Sequence, residues 1–328
     1  MKILVTGCAG FIGYSFCKKI LDSKRYTIFG VDNLNSYYDV KLKKSRLTIL
    51  KKNNKNFFFT KLDIKNQKKL INFFKKNKFD IVVHLAAQAG VRHSIHNPKT
   101  YFDNNVFGFF NILEACKSIK VKNLIYASTS SVYGNVNKFP IKETANTDKP
   151  LSFYAATKKT NEVLAYSYSN IYKLRTTGLR FFTVYGPYGR PDMALFKFVK
   201  NIILKKEINL YNYGKHTRDF TYIDDVVSFI IGIIEKKNVK KELIPYTVFN
   251  IGNGKPIHLK NFLRLIENKL KIKSKIINLP FQIGDVKKTH ANVKKINSII
   301  KFKKTEVKSG ITNFINWYTD YFNIRKED

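Results

Sequence analysis

At 328 residues, 44% of them hydrophobic, the chain can bury a sizeable core in one to three domains, and its longest apolar run, 226–234, is too short to cross a bilayer. The net charge of +37 comes from 51 lysines and only nine arginines, set among abundant Asn, Ile, Phe and Tyr and dispersed along the chain; this is the profile of an A- and T-biased coding sequence and argues against a specific nucleic-acid surface. Three cysteines, Cys8, Cys17 and Cys116, exclude a disulfide framework and a paired-thiolate metal site, and fit a reducing cytoplasm.

Ile3, Leu4 and Val5 read as a short buried strand, followed by TGCAGFIG. Gly7, Gly10 and Gly13 allow a tight turn and a close approach of backbone to a pyrophosphate resting on a helix N-terminus. A second strand, 27–32, ends in Asp32, placed to accept hydrogen bonds from adenosine ribose hydroxyls and to repel a 2′-phosphate. Further strands are predicted at 56–61, 81–85, 124–128 and 176–181, with helical spacing at 67–74 and 106–118. The alternation predicts a doubly wound parallel α/β sheet whose ligands bind at the carboxyl ends of its strands. Gly7, Asp32, Ala86 and Thr129 all fall just past such ends.

Tyr154 and Lys158 sit four residues apart, a spacing that shares one helix face. A lysine ammonium there is expected to favour the tyrosine phenolate, giving a base that works near neutral pH. After Gly186 the pattern changes. Pro187, Gly189 and Pro191 mark a loop, then come a helix at 194–205, strand-like stretches at 208–211 and 248–251, and an amphipathic segment at 259–270. Two domains are expected, 1–182 for a dinucleotide and a smaller α/β unit, 183–328, for the substrate. Disorder is expected only over the last residues, 325–328.

These motifs, in this order, resemble the extended short-chain dehydrogenase/reductase family over nearly the whole chain. The matching pieces include TGCAGFIG, Asp32, Leu62-Asp63-Ile64, His84-Leu-Ala-Ala-Gln-Ala-Gly90, Asp103-Asn-Asn-Val-Phe-Gly108, Ser128-Thr-Ser-Ser-Val-Tyr-Gly134, Tyr154 with Lys158, and Leu179 to Pro187. Within that family the chain is most similar to NAD-dependent nucleotide-sugar epimerases, and among them to those acting on UDP-glucuronate. Asn35-Ser-Tyr-Tyr-Asp-Val, Ala87-Gln-Ala-Gly-Val-Arg92 and Tyr185-Gly-Pro-Tyr-Gly-Arg-Pro-Asp-Met-Ala194 carry that narrower likeness.

The resemblance implies a Rossmann fold, bound NAD, a UDP-sugar substrate, a homodimer paired through 105–118 and 154–172, and at least one return of the chain to the first domain, around 218–252. It implies Thr129, Tyr154 and Lys158 as catalytic residues. Gly7, Gly10, Phe11, Ile12, Gly13, Asp32, Asn33, Asp63, Ile64, Ala86, Ala87, Gln88 and Asn104, with Tyr154 and Lys158, would hold NAD. Arg92, Ser130, Ser131, Thr183, Arg190, Arg218 and Asp285 would hold the substrate.

Two positions separate the reactions of such a family. Ser130 and Ser131 stand where the sugar 4,6-dehydratases carry Asp and Glu, and neutral hydroxyls serve poorly as an acid–base pair for elimination. The expected reaction is 4-epimerisation of UDP-glucuronate through a transient 4-keto sugar, with a neutral UDP-hexose as the alternative substrate. A nucleic-acid-binding or redox-sensing reuse of the fold is the third reading, and the complete Thr129, Tyr154 and Lys158 set argues against it. His84 reads as a packed structural residue, His93 and His96 as parts of a polar loop. No metal site and no membrane association are expected.

Overall fold

The computed structural model describes residues 1–52, 54–236 and 243–324; the expectation for 325–328 lies outside the described residues. In chain order the elements are β1 (Lys2–Thr6), α1 (Phe11–Leu21), β2 (Thr27–Asp32), α2 (Val40–Lys51), β3 (Phe57–Lys61), α3 (Gln67–Asn77), β4 (Ile81–His84), α4 (Val91–His96), α5 (Pro98–Tyr101), a π-type turn (Phe102–Phe107), α6 (Gly108–Ser118), β5 (Asn123–Thr129), a short 3₁₀ turn (Ser130–Tyr133), α7 (Phe153–Tyr172), β6 (Thr176–Phe181) and β7 (Thr183–Tyr185). There follow α8 (Ala194–Ile203), β8 (Glu207–Tyr211), β9 (Thr217–Arg218), β10 (Phe220–Tyr222), α9 (Ile223–Glu235), β11 (Tyr246–Ile251), β12 (Ile257–His258), α10 (Leu259–Leu270), β13 (Lys275–Leu279), α11 (Lys294–Asn297) and α12 (Val307–Tyr321).

Seven strands form one parallel sheet in the order β11-β6-β5-β4-β1-β2-β3. The apolar runs of its strands follow from burial on both faces. Ile3 and Val5 pack to one side, with Phe16 and Ile20 of α1 and Phe229 and Ile230 of α9. Leu4 packs to the other, with Leu70 and Phe74 of α3 and Phe109 and Leu113 of α6. Each such fully buried side chain contributes about 1.5–3 kcal/mol. The apolar run at 226–234 is thus explained as α9, a helix covering the sheet.

The chain winds outward from β1 to β3 and then returns to the other side of β1 as β4. That reversal opens a crevice between the carboxyl ends of β1 and β4, the usual ligand position in such sheets. The stretch at 248–251 lies within β11, which pairs with β6 in register Phe249↔Leu179 and Asn250↔Arg180. Beyond β6 lie the short pairs β7–β10, β8–β13 and β9–β12, of which β7, β8, β9 and β10 line the cleft.

Candidate active site

A cleft of about 900 Å³ runs along the carboxyl ends of the strands. Its floor at one end is the turn from β1 to α1. Gly7 has φ +73°, and a Cβ there would lie 2.7 Å from the Ala86 nitrogen. A Cβ on Gly13 would lie 2.2 Å from the Gly7 carbonyl oxygen. Only glycine fits either place, so the turn hugs β4 and presents bare backbone at the start of α1, where Gly10 caps the helix without a side-chain bond. This is a cradle suited to a pyrophosphate. Asp32 closes the next strand end. Its Oδ2 accepts from the Ala9 nitrogen at 3.1 Å and its Oδ1 from the Leu34 nitrogen at 2.8 Å. The carboxylate is thereby fixed at the cleft wall. The residues present fit a dinucleotide.

Of the residues expected to hold NAD, all but one line the cleft. Asp63 is the exception. Its carboxylate accepts from Asn33 Nδ2 at 3.2 Å and from the Lys65 nitrogen at 2.9 Å, so it steadies Asn33 rather than facing the cleft itself. Next to Gln88, Asn105 of the π-type turn exchanges bonds with the Gln88 backbone and donates to Thr157 Oγ1 of α7 at 3.1 Å. It fastens the loop after β4 to the helix that carries Tyr154.

Thr129, Tyr154 and Lys158 meet at the centre. Thr129 ends β5 and caps the 3₁₀ turn, its hydroxyl accepting from the Ser131 nitrogen and donating to Ser131 Oγ, each at 3.2 Å. Ser152 caps α7 by accepting from the Ala155 nitrogen at 3.2 Å, which sets Tyr154 in the first turn of that helix. The helix dipole there favours a phenolate. Burial raises the Tyr154 phenol above its ordinary range, while Arg190 and the Thr129 hydroxyl pull it back down.

Lys158 lies on the same helix, one turn beyond Tyr154. Lys158 Nζ donates to the Ala127 carbonyl at 3.0 Å, and burial lowers its pKa to about 8. A second cation, Arg190 from the loop between β7 and α8, also acts on the Tyr154 phenol. A carbonyl of β5 thus takes one of the three N–H groups of the Lys158 ammonium.

Ser130, Ser131, Thr183 and Arg190 line the same region. Farther along, Arg92 Nη2 pairs with Asp285 Oδ2 at 3.2 Å and its guanidinium lies 4.4 Å from the Tyr211 ring centre. Arg218 donates to the carbonyls of Thr217 and Lys287, each at 3.1 Å, and burial lowers its pKa to about 10. Two guanidiniums against one carboxylate leave this end able to take a diphosphate.

Several contributors escaped the sequence. Arg46 is fully buried, donating to the Ala9 carbonyl at 2.8 Å, the Tyr38 hydroxyl at 2.7 Å and the Tyr188 carbonyl at 2.6 Å. It ties the glycine-rich turn to the Arg190 loop. Tyr37, Lys43, Asp192 and His216 also line the cleft. The scarcity of arginine was a usable signal for Arg46, and Asn35-Ser-Tyr-Tyr for Tyr37.

A model of the NAD dependent epimerase/dehydratase family matches residues 3–252. The chain belongs to that family. It is 48% identical to Protein CapI of Staphylococcus aureus, with 98% of this chain and 99% of that one covered. It is 42% identical to UDP-glucuronate 4-epimerase 4 of Arabidopsis thaliana over 98% of this chain and 76% of that protein. Among solved structures, the UDP-glucuronic acid 4-epimerase of Bacillus cereus in complex with UDP-glucuronic acid and NAD is 33% identical. It superposes with a TM-score of 0.91 over 98% of this chain and all of that one.

Proposed function

We infer that the chain is an NAD-dependent nucleotide-sugar epimerase that interconverts UDP-glucuronate and UDP-galacturonate at C4. The observation that carries this reading is the meeting of Thr129, Tyr154 and Lys158 with Ser130, Ser131 and Arg190 in one cleft. The activities of the relatives support it.

NAD, when bound, supplies the group that takes hydride from C4 and gives it back. The rest falls to side chains. Tyr154, as phenolate, takes the proton from the sugar O4 and later returns it to the ketone oxygen. The Thr129 hydroxyl donates to that oxygen or accepts from it. Lys158, anchored on the Ala127 carbonyl, keeps a cation beside the reacting centre below about pH 8. Arg218, with Arg92, takes the diphosphate. The pyranose turns over between the two hydride steps, which inverts C4.

The 4-keto form of glucuronate is a β-keto acid. It loses carbon dioxide when its C5–C6 bond aligns with the ketone π system. Ser130, Ser131, Thr183 and Arg190 offer hydroxyls and a cation to hold the carboxylate out of that alignment. Their presence favours glucuronate over a neutral hexose. Turnover of UDP-glucuronate and of UDP-glucose, compared under one set of conditions, tests the choice: a strong preference for UDP-glucose sinks it.

The reading extends to assembly and place. Val163, Tyr166 and Ile171 of α7 are 56%, 47% and 61% exposed, and Phe102 and Phe107 add apolar surface before α6. We take this face as the seam of a homodimer, and light scattering showing only monomer at micromolar concentration would reject it. Residues 1–182, with the return through β11, serve the cofactor and 183–328 the sugar nucleotide. Among the described residues no helix is long and apolar enough to cross a membrane. The three buried, free cysteines fit a cytoplasmic enzyme.

A further inference from the structure

Arg190 is paired with a carboxylate of its own chain. Its Nε donates to Asp192 Oδ1 at 3.0 Å, and its Nη2 donates to Asp192 Oδ2. Asp192 Oδ2 also accepts the Tyr37 hydroxyl at 3.3 Å, from a residue 155 positions earlier in the chain. Tyr37 stands between β2 and α2, and Asp192 between β7 and α8, so this carboxylate joins the loop beside Asp32 to the loop beside Tyr154. All three residues line the cleft.

The pair is a compensated one. Burial would raise the Asp192 carboxyl, but Arg190 holds it below its ordinary range. Burial likewise disfavours the Arg190 guanidinium, and Asp192 more than restores it. Asp192 occupies the Nε–Nη2 edge of the fork. Both of its bonds to Asp192 are on that edge, and the guanidinium also lies against the Tyr37 hydroxyl and the cleft. A guanidinium whose charge is balanced by one carboxylate attracts a second more weakly than a bare one does.

We propose that Asp192 is a specificity-determining residue: a resident counter-carboxylate that aims Arg190 at the sugar and moderates its pull on the sugar's own carboxylate. The inference rests on UDP-glucuronate being the substrate. The pocket can then accept an acidic sugar without holding it so tightly that product release fails. A neutral sugar does not leave a bare cation buried beside it. Tyr37 steadies the arrangement as a positioning residue that acts through Asp192.

The test is calorimetric titration of the NAD-loaded enzyme with UDP-glucuronate and with UDP-glucose. Asp192→Asn keeps the shape and one acceptor for Arg190 Nε but removes the charge. The dissociation constant for UDP-glucuronate should fall on the order of 10-fold, while that for UDP-glucose changes by less than about two-fold. Asp192→Glu, which keeps the charge, should leave the ratio of the two near the wild-type value. Asp192→Ser, also neutral, gives the same comparison if the Asn variant does not fold. Weaker binding of both sugars in the neutral variants, or an unchanged ratio, overturns the proposal. If wild-type enzyme does not bind UDP-glucuronate at all, it is the substrate assignment that has failed.

Discussion

Arg180 and Glu162 form a two-pronged ion pair directly behind the reacting face. Arg180 Nε donates to Glu162 Oε1 at 2.8 Å and Nη2 to Oε2 at 2.7 Å, with side chains only 6% and 3% exposed. Ser128 Oγ donates to the same Oε1 at 2.6 Å, and Arg180 Nη1 donates to the Tyr133 hydroxyl at 3.0 Å. Glu162 lies one helical turn beyond Lys158, and Ser128 immediately precedes Thr129. The pair therefore holds α7 to β6, and the Ser128 bond holds α7, with its tyrosine and lysine, against the end of β5, with its threonine.

Glu162→Gln leaves a buried guanidinium without its charge partner. Breaking a buried pair from one side costs about 3–5 kcal/mol. Urea unfolding should show a loss of that order. A loss below about 1 kcal/mol would mean that Arg180 finds another partner and that the lock is not needed.

Tyr154→Phe keeps the ring, which meets Tyr101 edge-on at 6.1 Å between centres, and removes the hydroxyl. Turnover should fall by roughly 100-fold or more. Affinity for the UDP-sugar, measured by titration, should barely change. Near-normal turnover would move the base elsewhere.

Arg190→Ala should act in two ways. Loss of the cation leaves the Tyr154 phenol at the higher pKa that burial imposes, so both sugars turn over more slowly near neutral pH. The freed carboxylate of the 4-keto intermediate can also reach alignment with the ketone, so that the C5–C6 bond breaks, carbon dioxide leaves and C5 takes a proton from solvent. UDP-linked pentose or 4-keto-pentose should appear from UDP-glucuronate and not from UDP-glucose. Equal slowing without any pentose would assign Arg190 to Tyr154 alone.

His84 couples pH to stability. Its Nδ1 lies 2.8 Å from Thr6 Oγ1, and burial, with Lys158 nearby, depresses its pKa from 6.5 to about 3. Between those values the unfolded chain binds a proton that the folded protein refuses. Stability is therefore lost as pH falls from 6.5 towards 3, by at most about 5 kcal/mol at roughly 1.4 kcal/mol per unit. Thermal midpoints measured between pH 7 and 4.5 should decline less steeply in His84→Gln than in wild type. Parallel declines would show that His84 gains its proton without unfolding.

What the sequence disclosed follows the range of the interactions involved. The β1 strand and the glycine-rich turn depend on neighbours within a few residues, so Ile3 to Gly13 could be read directly. Asp32, Thr129 and Tyr154 fall at strand and helix ends whose positions follow from periodicity. Arg46 could not be read this way. It sits in a lysine-rich helix that looks solvated, and its partner Tyr188 is 142 residues away. Asp192 was hidden for the same reason, since Tyr37 reaches it only through the tertiary fold. The Ala127 carbonyl that anchors Lys158 was likewise out of reach, since it lies 31 residues earlier on another element.

Incubation of the NAD-loaded enzyme with UDP-glucuronate deuterated at C4, followed by separation and mass analysis of the products, bears most directly on the proposed reaction. A mixture of UDP-glucuronate and UDP-galacturonate is expected, with the deuterium kept at C4 of both, because hydride leaves and returns at one carbon. No UDP-galacturonate, or UDP-galacturonate that has exchanged its label with solvent, would contradict it.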